Sequence, residues 1–182
     1  MKKKMLLVPV FALLMLFTVA PVMAAPAKWT PVTGTQTSAG GAFSGIVLND
    51  GGVFFYDAVG GGTVVLHTPT ADYTFASSSV LNGTINTKTD EGEMHYKMLW
   101  EYKVNNVVVG GFDGEQIGKS TTTKYSATGI PLPMYSTNIY HVVLHGFGRF
   151  GGQILKLDGV RPAQTSGMTS LPVEWEGFLL KG

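Results

Sequence analysis

The chain has 182 residues, 13 Lys plus Arg against 12 Asp plus Glu, 24 glycines and no cysteine. So even a charge balance excludes the basic footprint of a nucleic-acid binder. The missing cysteines exclude disulfides, thiol nucleophiles and cysteine-based zinc sites.

Residues 1–24 read as a secretory signal peptide. Lys2, Lys3 and Lys4 form a basic start, an apolar run covers 5–20, and small residues follow at Ala24, Ala25 and Ala27. Val22 and Ala24 suit the −3 and −1 positions, which places cleavage after Ala24. Cleavage after Ala27 and retention as an N-terminal anchor are the alternatives. The apolar run is shorter than the about 20 residues a spanning helix needs. The expected location is secreted or on the outer side of the cell envelope, the periplasm if there is an outer membrane, with no membrane span once the leader is gone. Loss of the leader removes three lysines and leaves a slightly acidic remainder, long enough for one domain with its own core.

Residues 25–41 are rich in Pro, Thr, Ser and Gly and read as a flexible entry segment ahead of a domain over 42–182. Short β-type runs then follow at 42–48, 53–57, 63–68, 73–76 and 81–87. Asp50-Gly51 and the Gly60-Gly61-Gly62 run supply turns between the early ones. The clearest strand is 94–104. Met94, Tyr96, Met98, Trp100, Tyr102 and Val104 share one face; His95, Lys97, Glu101 and Lys103 share the other, with Leu99 the exception. Asn105-Asn106 makes a two-residue turn tolerant of positive φ, and Val107 restarts the chain in the opposite direction. Further strands are expected at 107–119, 138–146, 152–160 and 173–180. Between them, 121–135 contains Pro131 and Pro133, which cannot donate in a central ladder, and reads as a crossing loop. The fold expected is all-β, a small antiparallel up-and-down barrel of about eight to ten strands, closed to hide its edges.

Gly146-x-Gly148-x-Phe150-x-Gly152 links two of these strands. Glycines so spaced allow positive φ, bulges and the close approach of an aromatic ring, so Phe150 is expected to plug the barrel end or cover bare backbone. This passage, with Lys156 and Leu157 after it, resembles the glycine-rich hairpin of the allene oxide cyclase and dirigent barrels. The closing run from Trp175 to Lys181 is similar to the C-terminal end of uncharacterised secreted archaeal and bacterial proteins. The resemblance covers 140–157 and 175–181 and implies a calycin-like eight-stranded barrel. It implies no cyclase activity, because none of that family's catalytic positions matches here, and fold does not license function.

Chemistry-bearing residues are few. The histidines are His67, His95, His141 and His145. His141 and His145 share a strand face but lie about 13 Å apart, too far for one metal ion. Asp113/Glu115, Glu174/Glu176 and Glu91/Glu93 are carboxylate pairs at strand spacing, compatible with acid–base work and equally with a solvated face. No nucleophile elbow surrounds Ser44, where Ala42 and Ile46 stand in place of glycines, and phosphate-loop and dinucleotide fingerprints are missing. Asn82-Gly83-Thr84 is a glycosylation sequon. No metal or cofactor is expected. The face of Tyr96, Met98, Trp100 and Tyr102 reads either as barrel core or as the wall of an apolar ligand cavity. Three functions follow. The first is an exported non-catalytic barrel that binds a small apolar molecule. The second is a hydrolase or isomerase with its site inside the barrel. The third is a subunit of an extracellular assembly, including a homo-oligomer, joined by N-terminal strand addition.

Overall fold

Alternation between apolar and polar residues sets one face of each segment inward, and long runs of it build long strands. The computed structural model describes residues 28–42, 45–47, 50–132, 135–164 and 171–181. The leader expected over 1–24 lies outside the described residues. Nine strands follow in chain order: β1 (Lys28–Ala42), β2 (Gly45–Val47), β3 (Gly52–His67), β4 (Asp72–Asn86), β5 (Glu91–Val104), β6 (Val107–Thr122), β7 (Ser136–Gly148), β8 (Gln153–Arg161) and β9 (Val173–Lys181). Strands β3 to β9 pair antiparallel in sequence order, and β1 pairs with both β9 and β3. The result is a closed antiparallel barrel of eight strands, with β2 extending the pairing along the start of β3.

The N-terminal segment corrects the sequence reading. From Lys28 on, the segment read as a flexible entry is strand β1. Val32 and Gly34 are buried while Thr33 and Thr37 are not, so the Thr-rich stretch carries the period of a strand despite its turn-like composition. Its first part runs along β9 from Lys28 to Gln36, and its second along β3 from Thr33 to Ala42. The Gly60-Gly61-Gly62 run is a second correction. It lies inside β3, opposite Ser79, Ser78 and Ser77 of β4. A Cβ on Gly62 would sit 2.0 Å from the Thr37 carbonyl oxygen, so close approach of β1, not a turn, requires glycine there. The runs read separately at 53–57 and 63–68 are therefore one strand, as are those at 73–76 and 81–87.

Turns follow residue chemistry. Asn105 and Asn106 adopt φ of 51° and 64°, a left-handed pair that joins β5 to β6. Gly51 takes φ of 86° in the turn before β3, where the Gly52 N–H donates to Asp50 Oδ1 at 2.9 Å. A bulge interrupts β3 between Phe55 and Ala58, where Asp57 has φ of 46°. Its N–H donates to Asn82 Oδ1 at 3.0 Å, so the sequon asparagine lies mid-strand and its side-chain carbonyl supports the bulge.

The interior divides into two buried clusters. The larger is aromatic and is built around Phe150. Gly148 and Gly152, at φ of 56° and 77°, turn the chain so that this side chain folds back over the barrel end. Its ring lies 5.0 Å from Phe112, 5.3 Å from Tyr73, 5.5 Å from Phe75 and 5.6 Å from Tyr102. A Cβ at Gly146 would lie 2.0 Å from the Phe150 carbonyl oxygen, so the backbone beneath the plug admits no side chain. Arg149 covers the outer side of the cluster, its guanidinium 5.6 Å from the Tyr102 ring. Phe150→Ala is expected to cost about 3–5 kcal/mol in chemical denaturation, because four ring neighbours lose their partner together. A loss below about 1 kcal/mol, the level of an ordinary surface substitution, would show that this end closes without the ring.

Candidate functional site

At the other end the barrel wall is made of small residues on one side. Gly60, Gly61 and Ser79 of β3 and β4, with Gln36 and Ser38 of β1, face side chains of β5 to β8 across the interior. Because these positions project little volume, a cavity of about 200 Å³ remains. That exceeds the roughly 150 Å³ apolar cavity that accepts benzene in an engineered protein. Phe55, Ala58, Leu81, Ile85, Met94 and Met98 give it apolar surface; Tyr96, Gln116, Ser136, Asn138, Tyr140 and Arg161 give it polar atoms.

The polar residues arise from register. Tyr96 of β5 stands directly opposite Gln116 of β6, and Asn138 of β7 stands opposite Arg161 of β8. Tyr140 lies opposite Gly118, and a Cβ there would come within 2.9 Å of its ring. Glycine therefore lets the Tyr140 ring lie against the β6 backbone and meet Tyr96 edge-on at 6.0 Å. The two phenols neighbour each other on the cavity wall, and each bears on the other's ionisation. The Tyr96 hydroxyl also lies 3.2 Å from Met94 Sδ, a weak acceptor. Asn138 Nδ2 donates to the Ser136 carbonyl at 2.9 Å. Gln116 is 4 % exposed, and its Oε1 has no hydrogen-bond partner among the described residues.

Burial pushes the Tyr96 pKa well above its usual value; the Tyr140 hydroxyl adds to this and Arg161 opposes it. Burial also raises Tyr140, again against the pull of Arg161. Both are neutral donors at physiological pH, within the field of one guanidinium.

The crossing loop covers this end. Tyr125 and Pro131 pair across it, Ile130 N–H donates to Ser126 Oγ at 3.1 Å, and Leu132 N–H donates to the Lys124 carbonyl at 3.0 Å. Pro131 lines the cavity, and Ile130 packs on the smaller cluster. Tyr125 ties the loop down by donating to Asp90 Oδ1 at 2.8 Å, and its pKa is pushed up to about 12 by desolvation and by that carboxylate.

Of the residues expected on a cavity wall, Tyr96 and Met98 line this one. Trp100 and Tyr102 do not. They lie further along β5 in the aromatic end, where Trp100 is fully buried and Tyr102 packs against Phe75. One strand face runs the length of the barrel, so its residues belong to both ends. The histidines whose partners are defined make outward pairs: His67 with Asp72 at 2.8 Å, His95 with Glu93 at 3.0 Å and His141 with Asp158 at 2.5 Å. Asp113, Glu115, Glu174, Glu176, Glu91 and Glu93 are all solvent-exposed. Among the described residues no group of three His, Cys, Asp or Glu is placed to hold a metal ion. Arg161, Gln116, Asn138 and Pro131 were missed by the sequence reading. Arg161 continues the inward series Leu155, Leu157, Gly159, and ending that strand at 160 concealed it.

The raised tyrosines give a test with a definite sign. A folded-state pKa above the unfolded one favours the fold below the unfolded value and loses that contribution as pH rises through the folded value. For Tyr125 that window runs from about 10 to about 12. In a spectrophotometric titration, fewer than the seven tyrosines present are expected to ionise in the native barrel near pH ~11. The last ones should appear together with loss of the circular dichroism signal. A single native-state transition of all seven near pH ~10 would contradict the buried pair.

No protein-family model, curated protein or solved structure matches the chain. What stands of the hairpin resemblance is the architecture, a closed eight-stranded antiparallel barrel.

Proposed function

We propose that the protein is an exported, non-catalytic barrel that carries a small, mostly apolar molecule in the cavity beside Tyr96 and Tyr140. The observation that supports this most is the cavity itself: an apolar chamber with a few converging polar groups, the usual form of a small-molecule site. The aromatic end shows that this chain fills interior space elsewhere with large rings, so the Gly and Ser level of β3 and β4 is a local departure. Export rests on the basic start and apolar run of the leader. The outward face of β5 carries Glu91, Glu93, His95, Lys97 and Lys103, a charged row unsuited to facing lipid tails.

The enzyme reading has less support. An interior acid–base pair would need an inward carboxylate or histidine, and none of these lines the cavity among the described residues. Assembly by N-terminal strand addition is likewise less favoured, because β1 spends its backbone hydrogen bonds on β3 and β9 of its own chain.

Native mass spectrometry of the protein recovered from its exporting host tests the proposal. The polypeptide is expected to lack residues 1–24 and to carry a non-covalent small molecule released on denaturation. Ser79→Leu, which places a larger side chain in the cavity, is expected to keep the fold and lose the adduct. An adduct retained at full occupancy by that variant would place the bound molecule elsewhere.

A further inference from the structure

Resting on the reading of the cavity as a ligand site, we propose that its ligand is a small amphipathic carboxylic acid, its carboxylate held by Arg161 and the Tyr96–Tyr140 hydroxyls. Three observations converge on this.

The first is the distribution of charge. Among the described residues Arg161 is the one charged residue lining the cavity, and none of the twelve Asp and Glu residues lines it. A planar guanidinium has five N–H donors in a fork that matches a carboxylate, so it can add a ligand oxygen to contacts it already makes. Electrostatic attraction is stronger here than at a fully exposed position, because Arg161 is half-buried and shares the cavity wall with the buried Tyr140.

The second is the donor chain beside it. Tyr96 and Tyr140 stay protonated at neutral pH and together carry two O–H groups. The Tyr96 hydroxyl has in Met94 Sδ only a weak acceptor. A carboxylate oxygen is a far better acceptor and would draw that hydroxyl toward it.

The third is Gln116, 4 % exposed, lining the cavity and cross-strand from Tyr96, with an amide oxygen that has no partner among the described residues. Buried polar atoms are satisfied in the great majority of cases. A hydroxyl elsewhere on the ligand would satisfy this one. Phe55, Leu81 and Ile85, on β3 and β4, offer surface only to hydrocarbon. Arg161 and the Tyr96 hydroxyl donate to the carboxylate, Gln116 Oε1 accepts from a hydroxyl elsewhere on the ligand, and the apolar floor takes its short hydrocarbon body.

Calorimetric titration of the folded barrel, freed of any retained molecule, with octanoate and with 1-octanol separates the two levels of the reading. The two probes share one chain and differ in the head group. Octanoate is expected to bind about tenfold or more tightly than the alcohol, the difference a charge-assisted hydrogen-bond set supports. Arg161→Gln is expected to remove that preference while leaving octanol binding within about twofold, and Arg161→Lys, which keeps the charge without the fork, to retain part of it. Circular dichroism establishes that each variant is folded before it is titrated. Equal binding of acid and alcohol by the native protein would overturn the carboxylate assignment and leave the apolar-ligand reading standing. Binding of neither probe would overturn the assignment and the cavity reading together. An acid preference that survives Arg161→Gln would overturn the role given to Arg161.

Discussion

Everything in this fold depends on β1 hydrogen-bonding on both of its sides. From Thr33 to Gln36 it pairs with β3 and β9 at once. Without that double pairing, β3 and β9 would be the two open edges of a sheet, each with a row of unpaired backbone groups. Glycine makes the seam possible from both partners. A Cβ on Gly34 would lie 2.3 Å from the Val65 carbonyl oxygen, and one on Gly62 would lie 2.0 Å from that of Thr37. Neither strand could approach the other so closely if it carried side chains at these points. Closure then creates an interior that only inward residues can fill.

The chain fills that interior unevenly. Phe75, Trp100, Phe112, Phe150 and Trp175 pack one part, in tilted and edge-on pairs that each add stabilisation beyond burial alone. The level of Gly60 and Ser79 receives almost nothing from β3 and β4. A void of about 200 Å³ at about 24 cal/mol per Å³ amounts to a cost on the order of 5 kcal/mol if it were dry and apolar. That is a large fraction of the about 5–15 kcal/mol by which domains are stable. Polar lining lowers the cost, since such a cavity can be hydrated, whereas a purely apolar one stays dry. Tyr96, Gln116, Asn138 and Arg161 therefore do two things: they make the space tolerable and they give it chemical preference.

Sequence reasoning reached the architecture because strand period survives without context. The alternation from Met94 to Val104, the Asn105-Asn106 turn and the folding back of Phe150 over its glycines all depend on residues close together in the chain. Composition misled where tertiary pairing decides the outcome. Residues 25–41 read as a flexible entry and Gly60 to Gly62 as a turn, yet Lys28–Ala42 and the glycine run are strand because a third partner lies alongside. The cavity was half legible for the same reason. Tyr96 and Met98 share a face that periodicity exposes, but which end of that face is filled depends on Gly60, Ser79 and Phe150 on other strands. Arg161 was legible in principle from its parity with Leu155 and Leu157. Nothing local marks it as inward, and a charged residue at a strand end is ordinarily taken for a solvated one.

Parity is also what makes the charge arrangement informative. On a closed barrel each residue of a strand faces either solvent or the interior, and the carboxylates of this chain take the outward choice where they lie on strands. Glu91 and Glu93 do so on β5, Asp113 and Glu115 on β6, Asp158 on β8, Glu174 and Glu176 on β9. Several meet basic partners there, as Glu93 meets His95 and Asp158 meets His141, but exposed pairs of that kind contribute little to stability. Among the described charged residues Arg161 alone takes a place on the cavity wall, at the end of its strand, where a half-exposed position limits the desolvation cost. Its field reaches the two phenols and works against the burial that keeps them protonated. Among the described residues, acids outside and a single base on the cavity wall beside two neutral donors make the charge arrangement on which the proposed carboxylate site rests. The covering loop adds to this. Pro131 lines the same chamber, and Ile130 packs on the apolar cluster that forms part of its wall.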